Sequence, residues 1–282
     1  MALDNNIAIV TGGASGIGAA LGRALVQRSC VVVLADIDAD GVQRTAERLA
    51  TGGPGRAVAR HVDVRDPEAV AGLVRDTVAS HGRLDLLFNN AGIGVGGPVE
   101  ELLLAHWQRT LEVNLYGVIH GVMAAYPLML RQGHGHIVNT ASMAGLVPAP
   151  LLAPYAASKF GVVGLSLALR AEAARHGVRV SVVCPGVIDT PILDKQEQPG
   201  LPVPRSIQGM DPRVWLTRIG GPPYPPQRLA EDVLRGVAAN RPIIVAPASA
   251  RVVWRLWRWF PALVLREVIA RLEREWRARG SG

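Results

Sequence analysis

A tyrosine and a lysine stand four residues apart in the run Tyr155-Ala156-Ala157-Ser158-Lys159. On a helix, residues four apart lie on one face with their β-carbons about 5–6 Å apart, so the ammonium can favour the phenolate and lower the pKa of the phenol. The chain has only two lysines among its 30 basic residues. Lysine suits this position because its ammonium is a compact point charge, whereas the guanidinium of arginine is a broad fork. The pair predicts a tyrosine that works as acid and base. Alone, the pattern is more typical of a surface lysine below a core tyrosine.

A glycine-rich turn, TGGASGIG, runs from Thr11 to Gly18 between an apolar stretch and a helical pattern. Glycines let the backbone approach a pyrophosphate, and the following helix N-terminus offers free N–H groups. The next apolar strand ends at Asp36, eighteen residues after Gly18, close to the spacing of an acid that binds the adenosine ribose. A carboxylate there repels a 2′-phosphate, so the sequence favours NAD over NADP. The alternative for Asp36 is a loop acid in solvent.

These motifs, and others in the same order, resemble those of a classical short-chain dehydrogenase/reductase over roughly residues 5–250. The TGxxxGxG spacing and the three residues between tyrosine and lysine separate the chain from the extended and divergent groups. The resemblance implies an α/β Rossmann fold with a doubly wound parallel sheet, a homodimer or homotetramer, and interconversion of alcohols and carbonyls. The catalytic tetrad that it implies is Asn114, Ser142, Tyr155 and Lys159. The cofactor-binding residues that it implies are Gly12, Ser15, Gly16, Ile17, Gly18, Asp36, Asp63, Val64, Asn90, Ala91, Gly92, Tyr155, Lys159, Pro185, Gly186, Ile188 and Thr190.

The tetrad suggests how a proton would move. Oxidising a secondary alcohol releases a hydride, which the cofactor takes, and a proton, which the protein must take. Tyr155 is the expected base, because the cations of Lys159 and oxidised nicotinamide would lower a phenol pKa that is ordinarily about 10. Ser142 would hold the substrate oxygen. By the resemblance, Asn114 would support a water that links Lys159 to solvent.

The residues expected around the reacting carbon are nearly all apolar, and no arginine or lysine is obviously placed to pair with a carboxylate or phosphate. This favours a lipophilic alcohol or ketone, such as a steroid, a terpenoid or an alicyclic compound, over a sugar or hydroxy acid. Each residue could equally belong to the core. The candidates for substrate contact are Ile93, Val95, Met143, Leu146, Val147, Leu152, Ile192 and Leu193.

We expect one dehydrogenase domain over residues 1–250, with a substrate lid at about 187–227, and a C-terminal helical extension over residues 251–282. Apolar runs predict strands near residues 5–10, 31–36, 57–62, 84–89, 135–141, 178–184 and 241–246. There is no signal-peptide pattern, and no uncharged run is expected to reach the roughly 18 residues of a membrane span. The protein is therefore expected to be cytoplasmic, or peripheral to a membrane.

The cysteines and histidines give no sign of a metal site. Two cysteines cannot form a disulfide framework, and Cys184 is expected to be a buried small hydrophobe. No HExxH motif or Cys/His cluster is present, and His134-Gly135-His136 is interpreted as a turn into a strand. We expect no bound metal.

The basic charge is concentrated at the C-terminus. Residues 251–282 hold eight arginines and three glutamates, or five of the net +7, and no nucleic-acid-binding motif accompanies them, so we expect no nucleic acid partner. Apolar residues there recur at spacings of three, four or one, which predicts an amphipathic helix. This face is expected to pack on the lid or on a second subunit, or else to lie on an anionic membrane. The face consists of Leu265, Val268, Ile269, Leu272 and Trp276.

Two other classes of function remain open. The chain could be a cofactor-binding regulator without turnover, although a sensor has no need of all four tetrad residues. It could instead be an interaction protein that is recruited through its tail. Formation of NADH tests the first, and deletion of the tail tests the second.

Overall fold

The protein, as a computed structural model, is described over residues 3–194 and 199–280, without the side chains of residues 219 and 278–280. Its centre is a parallel sheet of seven strands in the order β3-β2-β1-β4-β5-β6-β7. The strands are β1 Ile7–Thr11, β2 Val31–Asp36, β3 Arg56–His61, β4 Leu86–Asn89, β5 Gly135–Thr140, β6 Val178–Pro185 and β7 Ile243–Ala246. The α-helices within the described ranges are α1 Gly16–Val26, α2 Ala39–Ala50, α3 Pro67–His81, α4 Leu104–Leu111, α5 Gly117–Gln132, α6 Ala153–Ala173, α7 Pro212–Gly220, α8 Pro226–Ala238, α9 Ala248–Trp259 and α10 Pro261–Gly280.

The central strands are nearly continuous apolar runs, as expected where helices cover both faces of a parallel sheet. β1 reads IAIVT and is buried at all five positions, whereas the edge strand β3, RAVARH, is half-buried or exposed throughout. Helices α1, α2 and α8 bury one apolar cluster, which includes Leu25 and Leu234. Helices α3, α5 and α6 bury another on the opposite face, which includes Val74, Met129 and Val162. The predicted doubly wound fold is confirmed, with strand limits within two residues of those expected.

The chain reverses its direction of winding between β1 and β4, which are neighbours in the sheet although β2 and β3 separate them in sequence. In open α/β sheets, ligands bind outside the carboxyl ends of the strands at such a point. The residues at these ends are Thr11, Asp36, Asn89, Thr140 and Pro185. They frame the site described below.

One helical stretch corrects the sequence-based expectation about membrane spans. From α4 through a single π-helical turn into α5, residues 104–132 are long and apolar enough to cross a membrane by length and composition, and residues 113–130 form an uncharged run of 18. Core helices of globular proteins pass the same test. In this stretch Val118, Val122, Ala125 and Met129 are buried against the sheet.

Two helices, α9 and α10, follow the last strand and form the predicted C-terminal extension. α9 begins after Pro247 and ends at Trp259, and Pro261 starts α10. Ala250 is buried in the domain core, and Trp254 packs against that core. The sequence predicted one amphipathic helix after Pro261. The extension contains that helix and also α9 before it, which packs against the domain core.

Candidate active site

The glycine turn lies between β1 and α1, where its backbone closely approaches the end of β4. Gly12 has φ +69°, and a β-carbon on it would lie 2.9 Å from the Cα of Ala91. Gly16 has φ +52°, and its β-carbon would lie 3.0 Å from Cγ2 of Thr190. Ser15 precedes α1 without a side-chain capping bond, and the first turn carries no acidic residue. The helix N-terminus therefore keeps amide donors and positive potential for an anion.

Asp36 ends β2 beside this turn. Its carboxylate accepts hydrogen bonds from the amide of Ala14 at 2.9 Å and from the amide of Asp38 at 3.0 Å. These bonds tie the β2 end to the glycine turn and leave acceptor capacity on both oxygens. A ribose hydroxyl is the kind of donor that this carboxylate could take.

Two of the predicted cofactor-binding residues, Asp63 and Val64, lie just after β3. Asp63 accepts hydrogen bonds from the backbone and guanidinium of Arg65, and the hydrogen bond from that side chain lowers the pKa of Asp63. The adjacent Val64 is buried, and its carbonyl lies 2.9 Å from Nδ1 of His120. Arg65, as the partner of Asp63, was not anticipated from the sequence.

Thr11 and Asn90 join the ends of β1 and β4. The Thr11 hydroxyl accepts from the amides of Asn90 at 2.9 Å and Ala91 at 3.1 Å, and Nδ2 of Asn90 donates to the Thr11 carbonyl at 3.0 Å. From β5, the Thr140 hydroxyl donates to Oδ1 of Asn90 at 3.3 Å. Three strand ends are thereby held together, and Gly92 follows as an exposed residue.

The segment after β6 contains the remaining expected cofactor contacts. Pro185 ends the strand, and the amide of Gly186 donates to the carbonyl of Ala246 at 2.8 Å. Ile188 and Thr190 are buried, and the Thr190 hydroxyl donates to the Ile188 carbonyl at 3.3 Å. Because Thr190 contacts Gly16, this segment and the glycine turn face each other. Ile17, on α1, instead packs against the core.

The predicted tetrad is brought together by α6, β5 and the π-helical turn. Tyr155 and Lys159 lie on one face of α6, with Nζ of Lys159 5.5 Å from the centre of the Tyr155 ring. Ser142 follows β5, and its side chain lies close enough to Tyr155 to lower the pKa of the phenol. Lys159 is buried and donates to the carbonyl of Thr140 at 3.0 Å. That carbonyl had no local signal in the sequence.

Asn114 lies in the π-helical turn Glu112–Tyr116, a rare element that often marks functional sites. Its side chain exchanges two hydrogen bonds with the backbone of Ile93, at 2.8 and 3.0 Å, and its Nδ2 lies 3.3 Å from the hydroxyl of Ser158. A β-carbon on Gly92 would lie 3.2 Å from Oδ1 of Asn114 and 3.5 Å from Nζ of Lys159. Asn114 and Lys159 therefore converge on the backbone of Gly92.

The pKa of the tyrosine differs from the sequence-based expectation. Burial raises the pKa of Tyr155, although the hydrogen bond from Ser142 opposes this shift. Burial also lowers the pKa of Lys159 to about 8. The expectation that the lysine leaves the phenol pKa below its ordinary value is thus wrong for the protein alone, because loss of hydration outweighs the other effects.

An apolar pocket has a volume of about 80 Å³. Its lining includes Leu151 and Leu152, which directly precede α6 and Tyr155 in the chain. Three of the eight predicted substrate residues line it: Val95, Leu152 and Ile192. Outside the lining, Leu146 and Leu193 are buried, Met143 and Val147 pack against the core, and Ile93 binds Asn114 through its backbone. The other lining residues are Gly94, Gly96, Gly97, Leu151, Ile207, Met210, Pro212, Trp215 and Leu216.

Two polar contacts join the predicted lid segment to the residues in and before α4. Nε2 of His106, on α4, lies 2.9 Å from the carbonyl of Pro202. The carboxylate of Glu101 accepts from the amide of Ser206 at 3.0 Å and from its hydroxyl, and the side-chain bond lowers the pKa of Glu101. Sequence patterns gave no signal for either contact. The predicted lid also includes residues 195–198, which lie outside the described part of the chain.

Cys30 and most histidines lie apart from this chemistry, whereas Cys184 lies close to Lys159 and to the backbone of Ser142. Cys184 is buried as predicted, and burial raises its pKa to about 12. His136 lies at the start of β5, as expected, and burial lowers its pKa to about 3. Within residues 3–194 and 199–280, no group of three His, Cys, Asp or Glu side chains could hold a metal ion.

Comparisons with known proteins agree with this geometry. The family model described as short chain dehydrogenase matches residues 6–200. The chain is 38% identical over 196 residues to cyclohexanol dehydrogenase of Acinetobacter sp. (strain SE19), covering 69% of this chain and 78% of that protein. It is 33% identical over 258 residues to the putative oxidoreductase SadH of Mycobacterium tuberculosis, covering 89% of each.

Solved structures give the same result. The chain resembles a short chain dehydrogenase/reductase from Burkholderia phymatum in complex with NAD, with a TM-score of 0.84 and 31% identity over 93% of this chain and 96% of that chain. The sheet order, the glycine turn and the convergence of the tetrad are thus accompanied by sequence and structural similarity over most of the chain. The chain belongs to the short-chain dehydrogenase family and is an oxidoreductase with the Rossmann fold.

Proposed function

We propose that this chain is an NAD-dependent oxidoreductase that interconverts a lipophilic secondary alcohol and its ketone by hydride transfer. The observation that carries the proposal is the placement of Tyr155 near Ser142 and above Lys159, together with an apolar pocket whose lining includes Leu151 and Leu152, just before Tyr155 in the chain. Relatives that include a cyclohexanol dehydrogenase support the same reaction class. The residue roles below are parts of this proposal.

Tyr155 acts as the general acid and base. In alcohol oxidation its deprotonated Oη removes the hydroxyl proton as the substrate carbon loses a hydride, and in ketone reduction the neutral phenol returns a proton to the oxygen. Ser142 donates a hydrogen bond to the substrate oxygen and holds it against Tyr155. NAD, when bound, supplies the acceptor for the hydride.

Lys159 and Asn114 support this proton transfer. The ammonium of Lys159 favours the phenolate by its charge, and its hydrogen bond to Thr140 fixes it below the ring. Asn114 holds the backbone of Ile93 and borders Gly92 opposite Lys159. This arrangement suits a water-mediated path from the ammonium to solvent, with Asn114 as a positioning residue.

The residues around the glycine turn fit NAD. The backbone approaches Ala91 and Thr190 too closely for side chains at Gly12 and Gly16, as needed for contact with a pyrophosphate. Asp36 would bind the ribose hydroxyls and repel a 2′-phosphate. Ile37 beside it is exposed and supplies no compensating cation. The bound NAD in the Burkholderia phymatum structure supports this choice.

The pocket favours lipophilic over polyhydroxylated substrates. The lining consists of glycines and apolar side chains, with no charged group, so a polyol would lose hydration without gaining partners. A relative that is 40% identical over 188 residues, 67% of this chain and 72% of that protein, is a D-threitol dehydrogenase of Mycolicibacterium smegmatis. The apolar lining argues that this chain instead takes an alicyclic, terpenoid or steroid alcohol.

The assembly proposed is a cytoplasmic homodimer or homotetramer. Exposed apolar side chains along α4, α5 and α6 and the turn between α4 and α5 support a subunit interface there, namely Leu104, Tyr116, Met123, Phe160 and Leu167. Covering this face with a second subunit would remove its apolar surface from water, which is favourable.

Formation of NADH across a panel of secondary alcohols at alkaline pH tests the proposal. We expect turnover with cyclohexanol or larger alicyclic alcohols, little with threitol or 3-hydroxybutyrate, and a lower rate with NADP in place of NAD. Binding of NADH without turnover of any alcohol or ketone would favour a regulator. Preference for the polyol would contradict the role given to the pocket.

A further inference from the structure

Six large apolar side chains on and just after α9 are exposed to solvent, at 44–78% of their surface. Trp259 is the most exposed of them. We call this group the α9 face: Val252, Val253, Leu256, Trp259, Phe260 and Leu263. At about 100° per residue, the four members within α9 lie in an arc of about 120°. Ala250 and Trp254, on the opposite side, attach the helix to the core.

Arginines border this face. Arg251, Arg255 and Arg258 occupy an arc of about 60° next to the apolar one, and Arg266 follows on α10. Residues 248–266 contain these four arginines and no acidic residue. In the described part of the chain, the ion pairs include no partner for Arg255, Arg258 or Arg266. The segment therefore carries uncompensated positive charge beside exposed apolar surface.

The rest of the tail differs, because its glutamates pair with arginines and part of its apolar face is half-buried. Glu267 pairs with Arg271 at 2.8 Å and with Arg274 at 3.3 Å. On the face that the sequence predicted for α10, Val268, Leu272 and Trp276 are half-buried, and Leu265 and Ile269 are exposed. One side of α10 is thus partly covered by protein, and the larger exposed apolar surface of the tail is the α9 face.

α10 also contacts the substrate lid. Glu275 lies 3.4 Å from Arg218 of α7, and α7 contributes Pro212, Trp215 and Leu216 to the apolar pocket. The tail and the lid are therefore neighbours. A surface that binds α9 would lie near the element that covers the pocket.

The chemistry of the α9 face identifies its partner. A symmetric contact between two copies would place the same patch against itself and bring arginine strip against arginine strip, which is repulsive. Trp, Phe and Leu on one side and arginines beside them suit a helix that lies in the interface of an anionic membrane, where tryptophan is enriched. We propose that the α9 face docks this protein on an anionic membrane surface. Delivery of lipid-dissolved alcohol to the pocket would follow, and that consequence alone rests on the proposed function.

Vesicle co-sedimentation of the full chain tests the docking without any turnover. Phosphatidylcholine vesicles with and without phosphatidylglycerol are the probes, and we expect binding only with phosphatidylglycerol, weakening as salt rises. The Arg255→Gln/Arg258→Gln variant should bind about thirtyfold more weakly, since each arginine near such a surface contributes about fivefold. Trp259→Ser/Phe260→Ser should lose about tenfold or more.

The matched control is Leu265→Ser/Ile269→Ser, which changes exposed apolar residues of α10 and should keep binding within about twofold. Circular dichroism checks the folding of every variant. If Trp259→Ser/Phe260→Ser unfolds, the comparison rests on Arg255→Gln/Arg258→Gln. Failure of the wild type to sediment with anionic vesicles would overturn the proposal. Equal loss in the α10 control, or a changed oligomeric state of the arginine variant in sedimentation velocity, would also overturn it.

Discussion

Lys159 keeps its charge at a cost in stability that depends on pH. It is buried, with one hydrogen bond from Nζ to the carbonyl of Thr140, and burial lowers its pKa from 10.5 to about 8. One pKa unit corresponds to about 1.4 kcal/mol. At neutral pH the buried ammonium therefore lowers the free energy of unfolding by about 3 kcal/mol relative to a group with an unshifted pKa.

The cost disappears as pH rises. Below pH 8 both states carry the proton, whereas between about pH 8 and 10.5 the unfolded chain binds the proton and the folded protein does not, so folding gains stability with pH. Lys159→Met removes this dependence. The free energy of unfolding of the wild type, minus that of the variant, should rise by about 2 to 3 kcal/mol from pH 7 to pH 10.

Urea denaturation at a series of pH values measures this difference. Loss of the bond to Thr140 in the variant adds a constant offset, and Tyr155 and Cys184, whose pKa values are raised by burial, are shared by the two proteins. The pKa shift of Lys159 is therefore tested by the change with pH in the difference between the two free energies of unfolding, and not by the size of that difference at one pH. A difference that stays constant across this range, or falls with pH, would refute the shift assigned to Lys159.

Three further predictions concern the cofactor, the pocket and the lid. Asp36→Ala should weaken NAD binding about tenfold, as expected for loss of hydrogen bonds to a charged group, with little change for NADP; equal affinities in the wild type, by fluorescence titration, would contradict the role of Asp36. Trp215→Ala should raise KM for alicyclic alcohols about tenfold through lost apolar contact, and an unchanged KM would place the substrate elsewhere. Glu101→Gln should raise KM for the alcohol without changing the affinity for NADH, because the lid is bound to Glu101 through Ser206; unchanged steady-state kinetics would remove Glu101 from lid positioning.

Much of the fold was predictable because its signals are local. Continuous apolar runs fixed the strands to within two residues, and the glycine turn fixed the entry to α1. The proximity of the four proposed tetrad residues was predictable because Tyr155 and Lys159 share a helix, while Ser142 and Asn114 belong to the family pattern. The π-helical turn that presents Asn114 carries no local signal.

What was missed depends on tertiary contacts. Burial, which raises the pKa of Tyr155 and lowers that of Lys159, cannot be judged from two residues on a helix. The lid contacts of His106 and Glu101 join segments about 100 residues apart. In the tail, the periodicity predicted an apolar face on α10, and only the packing showed that the larger exposed apolar surface lies on and just after α9.

The most direct test of the central claim is Tyr155→Phe, measured as NAD reduction by an alicyclic alcohol together with NADH affinity. The ring and its packing remain, while the transferable proton is removed. We expect turnover to disappear and NADH affinity to stay nearly unchanged. Retention of about a tenth of wild-type turnover or more would contradict the assignment of Tyr155 as the acid and base.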